Sequence, residues 1–276
     1  MVVEAIRTVG VIGLGRMGRP IARRLAAAGL AVYGYDTNPG VAAAAADGIA
    51  IAASAAEVAA ACDPVIVVVG FERQVDGAIF GKGGLAAGLR PGAVVAVAAT
   101  VSPTYVARLA DRLAAAGARL IDMPLAGGEI AAEAGRLVVY AGGEAADIAA
   151  CRPVFDAFAE HVFHLGGPGA GQVAKAANNM LLWTCLCANV EAMDLAQAFG
   201  VDRDALRDAL GHGSGANWAL TTRADERPAL WAEKDMTIVL EEAGKAGIAM
   251  PVAATVKEAI KVFKIARRLP VPSDDA

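Results

Sequence analysis

The feature that most constrains the fold is an alternation, through the first half of the chain, of short β-branched runs with alanine-rich helical stretches. The β-branched runs do not alternate between apolar and polar residues, which is typical of strands covered on both faces of a sheet. Strands are predicted at 8–12, 31–35, 65–69, 93–97, 120–123 and 137–141, and helices between them at 17–28, 54–61, 103–116 and 144–158. Repeated βα units of this kind predict an α/β fold with a mostly parallel, doubly wound sheet.

The pattern changes beyond a glycine-rich turn at 166–171, where only helical patterns remain. One long helix is predicted from about residue 172 to 199, amphipathic helices follow at 202–210 and 231–246, and a last helix covers 251–268. We therefore predict an α/β domain at 1–165 and an all-α domain at 166–276 that begins with a long interdomain helix. The last residues, 270–276, are expected to fray.

Composition excludes several classes of function. The net charge is −4 and the basic residues are scattered among acids, so nucleic acid is not an expected partner. The most apolar segment, 180–190, is too short to span a bilayer, which predicts no membrane partner. An acid and a base within the first seven residues argue against a signal peptide and favour a cytoplasmic protein. The four cysteines show neither metal nor disulfide spacing, so we expect free thiols and no metal site.

A glycine motif immediately follows the first predicted strand and begins the first predicted helix. The first glycine permits a tight turn, the second lets the backbone approach a pyrophosphate, and the third lets helix and strand pack closely. Asp36 follows the second predicted strand, at the spacing of an acid that binds a ribose and repels a 2′-phosphate. This context predicts an NAD site rather than a structural turn beside a surface acid, with cofactor contacts from Gly13, Leu14, Gly15, Arg16, Met17, Gly18 and Asp36. A second glycine-rich segment, 81–84, lacks the P-loop spacing and is predicted to be an ordinary loop.

A nicotinamide enzyme needs a group that exchanges a proton with its substrate. His161 and His164 are expected to flank the last strand of the first domain and His212 lies in a glycine-rich turn, so the histidines are poor candidates. Lys175 and Asn179 share one face of the long predicted helix, because they are four residues apart. As a base at neutral pH, such a lysine needs desolvation or a second cation nearby. From spacing alone, the alternative that these side chains only solvate one helix face stays open.

Four segments in order resemble the β-hydroxyacid dehydrogenase family, which includes 3-hydroxyisobutyrate dehydrogenases, tartronate semialdehyde reductases and, more distantly, 6-phosphogluconate dehydrogenases. They are the glycine motif at 13–18, Asp-Met-Pro-Leu-Ala-Gly-Gly at 122–128, Gly-Ala-Gly-Gln-Val-Ala-Lys at 169–175 with Asn178 and Asn179, and Lys234 with Asp235. The resemblance covers nearly the whole chain. It implies a Rossmann domain, a helical domain around a long interdomain helix, and a homodimer or homotetramer built through the helical domain.

The resemblance also implies roles for individual residues. Lys175 becomes the acid-base residue, Asn179 a catalytic or substrate contact, and Lys234 a second active-site cation that contacts cofactor or substrate. Ala126, Gly127 and Gly128 become a backbone cradle for a substrate carboxylate. Thr100, in the loop after the predicted strand at 93–97, becomes a cofactor contact. The implied activity is NAD-dependent hydride transfer on a small β-hydroxyacid or its semialdehyde.

Two residues depart from the family pattern: Ala99 and Ala126 stand where family members usually carry serine. A substrate site without these hydroxyls favours apolar groups over polar ones. Trp183, on the same helix face as Lys175, is a candidate substrate contact, and a core position is the alternative for it. Two other functions stay open here: reduction of a less polar carbonyl or imine with NAD or NADP, and dinucleotide binding without catalysis. Lys175 and Asp36 argue against imine reduction, and the joint presence of Lys175, Asn179 and Lys234 argues against a protein that only binds.

Overall fold

The computed structural model describes residues 6–45, 48–223 and 230–269. The residues predicted to fray, 270–276, lie outside the described part of the chain. The strands are β1 (Thr8–Ile12), β2 (Ala31–Tyr35), β3 (Ala50–Ile51), β4 (Val65–Val67), β5 (Val94–Val97), β6 (Arg119–Asp122), β7 (Leu125–Ala126), β8 (Leu137–Gly143) and β9 (Ala159–Gly166). The helices are α1 (Gly18–Ala27), α2 (Pro39–Ala45), α3 (Ala55–Ala61), α4 (Glu72–Phe80), α5 (Pro103–Ala115), α6 (Gly128–Ala134), α7 (Ala145–Phe155), α8 (Ala170–Ala198), α9 (Arg203–Gly211), α10 (Trp218–Thr222), α11 (Ala232–Lys245) and α12 (Pro251–Arg267).

One mixed sheet organises the first part of the chain. Its strand order is β3-β2-β1-β4-β5-β6-β8-β7, and β9 pairs with β8. The six strands from β1 to β6 are parallel to one another, while β8 is antiparallel to β6 and β7 and parallel to β9. The strand order reverses between β1 and β4, which is where ligands bind in open sheets of this type. The prediction of a mostly parallel, doubly wound sheet is confirmed.

Two apolar layers cover the two faces of this sheet. Val9 and Val11 of β1 pack into one layer with α1, whereas Ile12 packs into the other layer with α3 and α5. In β4, Ile66 faces the first layer and its neighbours Val65 and Val67 face the second. The strands β1 and β4 are therefore apolar on both sides, which is why their sequences lack polar alternation.

The chain divides into two compact units, Met1–Lys175 and Ala176–Ala276, with the division inside α8. The second unit is helical throughout its described residues and has its own core. Trp183 and Leu186 of α8 pack there against Met236 of α11 and Ile260 of α12. In the described part of the chain, no helix combines the length and the apolar character that a membrane crossing requires.

Several elements have no counterpart in the sequence predictions. The strands β3 and β7 span two residues each, too few to show a periodic pattern. The placement of His161 and His164 beside a strand was wrong, because both lie within β9. This strand pairs only with β8 among the described strands, and most of its side chains are exposed, so polar and apolar residues mix freely along it. The remaining unpredicted elements are α2, α4, α6 and α10.

Candidate active site

The glycine motif forms the turn between β1 and α1. Gly13 has a φ of +90°, and its N–H donates to the carbonyl oxygen of Tyr35 over 2.8 Å. A Cβ on Gly13 would overlap the Val68 carbonyl, and a Cβ on Gly18 would overlap the Gly13 carbonyl. Both glycines are therefore required by the close approach of the chain to itself.

Gly15 differs, because a Cβ built there would meet no atom within 4 Å. The fold itself therefore does not need a glycine at this position. A pyrophosphate can approach the start of a helix closely only where no side chain projects from the loop. Met17, the N-cap residue of α1, makes no side-chain hydrogen bond to the first turn. The backbone N–H groups of that turn therefore remain available to an anion. These features fit a dinucleotide.

The other side chains of the motif face the protein or its surface. Leu14 is buried, and Met17 packs against the apolar layer that contains α1. Arg16 is exposed and forms an ion pair of 2.6 Å with Glu129 at the start of α6. This contact links the dinucleotide loop to the loop that carries Gly127 and Gly128.

Asp36 lies beside the glycine motif, as its spacing predicts. Its Oδ2 accepts from the N–H of Leu14 and its Oδ1 from the N–H of Asn38, each over 2.8 Å. These bonds fix the carboxylate at the end of β2, and each oxygen keeps a further lone pair for a ribose hydroxyl. A 2′-phosphate at the same place would meet a fixed negative charge.

The loop between β7 and α6 depends on two left-handed glycines. Ala126 pairs with Val138 of β8, and the chain then passes through Gly127 at φ +112° and Gly128 at φ +74°. Side-chain-bearing residues rarely adopt such angles. A Cβ on Gly127 would also lie 2.6 Å from the Cβ of Ala131. The turn therefore exposes backbone because only glycine can make it.

Asp122, at the end of β6, anchors the start of α8. Its carboxylate is fully buried and accepts from the N–H of Gly169 over 2.9 Å and from the N–H of Gln172 over 3.0 Å. Burial raises the pKa of this carboxyl above its usual range, although the backbone N–H bonds oppose that effect. A Cβ on Gly171 would lie 2.7 Å from the carboxylate, and one on Gly142 would overlap it, which explains both glycines.

The first turns of α8 also contact the loops after β5 and β6. The buried side chain of Gln172 donates through Nε2 to the Ala99 carbonyl over 2.9 Å and accepts through Oε1 from the Val101 N–H over 3.1 Å. One turn later, Lys175 Nζ donates to the Leu125 carbonyl over 2.6 Å. The structure thus brings Lys175 to the residue that precedes Ala126, Gly127 and Gly128.

Sequence reasoning missed Gln172, Asp122 and Leu125 as members of this group. The sequence does contain a signal for Gln172, since an amide three residues before Lys175 lies on the same side of the helix.

The two residues that depart from the family pattern, Ala99 and Ala126, differ in their burial. Ala99 belongs to the apolar layer beneath β5, while Ala126 is only half-buried. Thr100, between the two backbone groups held by Gln172, is half-buried.

The other predicted site residues lie in the helical unit. Asn179 is buried and accepts from Asn178 Nδ2 over 3.0 Å. Lys234 places its ammonium 5.5 Å from the centre of the Trp231 ring. Trp183 lies in the helical core and donates through Nε1 to Asp235 Oδ2 over 3.0 Å. This setting fits the alternative of a core aromatic, and a substrate contact by Trp183 stays a prediction.

Two family models together match almost the entire chain. The model described as the NAD-binding domain of 6-phosphogluconate dehydrogenase matches residues 8–166. The model described as the NAD-binding part of NADP-dependent 3-hydroxyisobutyrate dehydrogenase matches residues 169–269.

Characterised relatives cover most of the chain as well. An L-threonate dehydrogenase of Cupriavidus necator is 35% identical, covering 90% of this chain and 87% of the relative. An NAD-dependent L-serine dehydrogenase of Pseudomonas aeruginosa is 35% identical, covering 78% of this chain and 72% of the relative. The crystal structure of a 3-hydroxyisobutyrate dehydrogenase from Salmonella typhimurium superposes with a TM-score of 0.84 at 31% identity, covering 94% of this chain and 95% of that one. Since these matches extend over both the sheet and the helices, the chain belongs to the β-hydroxyacid dehydrogenase family and is an NAD(P)-dependent oxidoreductase of small hydroxyacids.

Proposed function

We propose that Lys175 is the acid-base residue of this dehydrogenase and that its substrate is a small β-hydroxyacid or the corresponding semialdehyde. The observation that carries the proposal is the bond of 2.6 Å between Lys175 Nζ and the Leu125 carbonyl. This bond holds the amine at the entrance to the glycine turn. The relatives named for L-threonate, L-serine and 3-hydroxyisobutyrate share a carboxylate and a hydroxyl as substrate features.

Each residue has a defined task in this proposal. When bound, a nicotinamide cofactor would supply or accept the hydride. The amine of Lys175 takes the hydroxyl proton during oxidation and returns it to the carbonyl oxygen during reduction. Backbone N–H groups around Ala126, Gly127 and Gly128, together with Asn179, hold the carboxylate. Lys234 supplies a second positive charge to the cofactor or substrate, and Thr100 contacts the cofactor.

The role of Lys175 is tested by replacing it with alanine. We expect kcat to fall by about 10²-fold or more, because a positioned proton donor or acceptor contributes on that scale. NADH affinity, measured by fluorescence titration, should remain within a few-fold of wild type. Lys82→Ala is the matched control, since Lys82 is an exposed lysine of the 81–84 loop. Turnover by Lys175→Ala at the rate of that control would exclude the assigned role.

We further propose that the enzyme prefers NAD to NADP, since the Asp36 carboxylate is fixed beside the glycine loop by two bonds of 2.8 Å. Replacing Asp36 with serine should raise kcat/KM for NADP relative to NAD by at least about tenfold, because a fixed negative charge is removed from the ribose site. Parallel assays with both cofactors measure the ratio. A wild-type preference for NADP would contradict the proposal.

The domain division is also proposed, as an NAD-binding domain at 1–165 and a helical domain at 166–276. The first family-model match ends at 166 and the second begins at 169, which supports a boundary near this position.

We propose a homodimer or homotetramer built through the helical domain. Large apolar side chains that are at least 62% exposed on α8, directly after α8 and on α12 support this surface: Leu181, Leu195, Phe199, Val262 and Ile265. Light scattering during size-exclusion chromatography tests it, and a monomer at micromolar concentration would contradict it.

We also propose a cytoplasmic location. All four cysteines of the chain are free thiols, which suits a reducing compartment. Fractionation of cells producing the protein tests this proposal, and recovery from an oxidising compartment would contradict it.

A further inference from the structure

Gln172 has a contact pattern that needs a donor and an acceptor on the same planar side-chain group. One end of its side chain donates to the Ala99 carbonyl and the other end accepts from the Val101 N–H. These two backbone groups flank Thr100, so one side chain holds the segment on both sides of that residue. The side chain of Gln172 is 1% exposed, and both bonds are buried. Water therefore does not compete for either partner.

Gln172 is itself held in place from the opposite direction. Its backbone N–H donates to the buried carboxylate of Asp122, which also accepts from the Gly169 N–H. Lys175 lies three residues further along the same helix and bonds to the Leu125 carbonyl. The first turns of α8 are thus joined to the segments after β5 and β6 by hydrogen bonds that span 47 to 73 positions of sequence.

The side-chain amide of Gln172 consequently fixes the distance between Thr100 and Lys175. If the segment at 98–102 moved relative to α8, both buried bonds would break and leave two backbone groups unsatisfied. The segment carries Thr100, and α8 carries Lys175. Their separation is therefore set by a buried side chain whose bonds in the structure go to the protein backbone.

We propose that Gln172 is a positioning residue that holds the Thr100 segment, and with it the dinucleotide, in register with the amine of Lys175. This inference rests on the proposed function of Lys175 and Thr100. It predicts that changing the donor end of the Gln172 side chain alters cofactor binding and turnover together, although no atom of the reaction is touched.

The sharpest variant is Gln172→Glu, because glutamate has almost the same shape. When ionised, it still accepts from Val101, but it places a negative oxygen against the Ala99 carbonyl. When protonated, its O–H replaces the lost donor, so lowering the pH should restore the wild-type arrangement. Burial favours the protonated form of such a carboxyl, which brings this change toward mildly acidic pH. Gln172→Met removes donor and acceptor at every pH.

The experiment compares Gln172→Glu, Gln172→Met and wild type in kcat, in KM and in NADH titrations over a range of pH. At neutral pH we expect kcat/KM to fall by about 10²-fold in both variants, the scale associated with misplacement of reacting groups by an ångström. NADH affinity should fall at least about tenfold in both variants. The deficit of Gln172→Glu should shrink as the pH falls, whereas the deficit of Gln172→Met should not.

Gln197→Glu is the matched control, since Gln197 is exposed on the same helix. Wild-type NADH affinity and kcat/KM in both Gln172 variants would overturn the proposal, and so would a deficit in Gln172→Glu that does not depend on pH. The NADH titration needs no substrate turnover. It therefore separates failure of this inference from failure of the role given to Lys175.

If the variants do not fold, amide hydrogen exchange of the wild-type protein decides the matter. The Val101 N–H donates to the Gln172 side chain, so its protection from exchange reports whether Gln172 holds the segment in solution. Slow exchange at Val101, further slowed by NADH, supports the proposal. Rapid exchange at Val101 with and without NADH would overturn it.

Discussion

At the scale of single residues, the three glycines of the dinucleotide motif serve different purposes. Gly13 and Gly18 are required by close contacts of the protein with itself. A Cβ on Gly15 would meet no protein atom within 4 Å, so the lack of a side chain there is explained by the ligand rather than by the fold. The fold therefore requires glycine at positions 13 and 18, and ligand binding requires it at position 15, although the sequence alone does not distinguish the three.

Alanine substitution separates these requirements. Gly18→Ala should lower the free energy of unfolding by about 1–3 kcal/mol, because its Cβ would overlap the Gly13 carbonyl and force the backbone to shift. Gly15→Ala should change stability by less than about 0.5 kcal/mol and yet weaken NADH binding at least tenfold, roughly the factor that corresponds to 1.4 kcal/mol. Urea unfolding and fluorescence titration of both variants provide the comparison. Equal stability losses would show that Gly15 has a structural role too.

The buried cysteines permit a second prediction at this scale. Burial raises the pKa of the Cys62 and Cys151 thiols to about 12 each, so both remain protonated near neutral pH. We expect iodoacetamide at pH 8 to label Cys185, which is only half-buried, well before these two. Peptide mass spectrometry of partly labelled protein measures the order. Labelling of Cys62 or Cys151 in the folded protein at the rate of Cys185 would contradict it.

At the scale of elements, α8 is the helix on which most of the candidate chemistry depends. Its first turns are anchored by Asp122 and carry Gln172 and Lys175. Farther along, within the helical unit, Trp183 donates to Asp235 of α11 at a buried site. Asp235 immediately follows Lys234, so this bond fixes the turn of α11 on which the proposed second cation lies.

Trp183→Phe tests that bond. The substitution keeps an aromatic ring in the helical core but removes the indole donor from the buried Asp235 carboxylate. We expect a loss of about 1.5–3 kcal/mol in the free energy of unfolding, the scale of one hydrogen bond to a charged group. Trp218→Phe is the control, because Trp218 is 53% exposed and should change stability by less than about 0.5 kcal/mol. Similar losses from both substitutions would show that ring size, rather than the hydrogen bond, decides the effect.

At the scale of the whole molecule, the buried carboxyl of Asp122 ties stability to pH. Burial raises the pKa of Asp122 in the folded chain, so the folded chain binds this proton more tightly than the unfolded chain does. The stability contributed by this group is complete below the ordinary aspartate pKa of about 3.9 and is lost as the pH rises through the higher folded pKa.

Asp122→Asn removes this titration. Between about pH 4 and neutrality, wild type should lose more stability than Asp122→Asn, because only wild type carries this buried carboxyl with a raised pKa. Urea unfolding at several pH values gives both curves, and their slopes are compared rather than their absolute stabilities. Parallel curves would exclude Asp122 as a source of the pH dependence.

The sequence predicted much of this molecule, for reasons visible in particular elements. The bounds of β1 and β2 were predicted as the structure has them, because burial on both faces leaves an uninterrupted apolar run. The strand β9 was missed because most of its side chains are exposed. Its sequence therefore shows neither an apolar run nor a regular alternation of apolar and polar residues. Short elements such as β7 form only because a neighbouring strand offers backbone partners.

The candidate site divides in the same way. The sequence by itself determined the glycine loop, the acid after β2 and the family, because these depend on local dihedral angles and on spacings of a few residues. The tertiary structure alone decided that Lys175 bonds to the Leu125 carbonyl and that Gln172 holds both sides of Thr100. In each case the partner is a backbone N–H or carbonyl, which every residue type offers, except that proline lacks the N–H. A backbone partner therefore cannot be identified from residue types. Which backbone group bonds to Lys175 or Gln172 depends on how distant segments of the chain pack together.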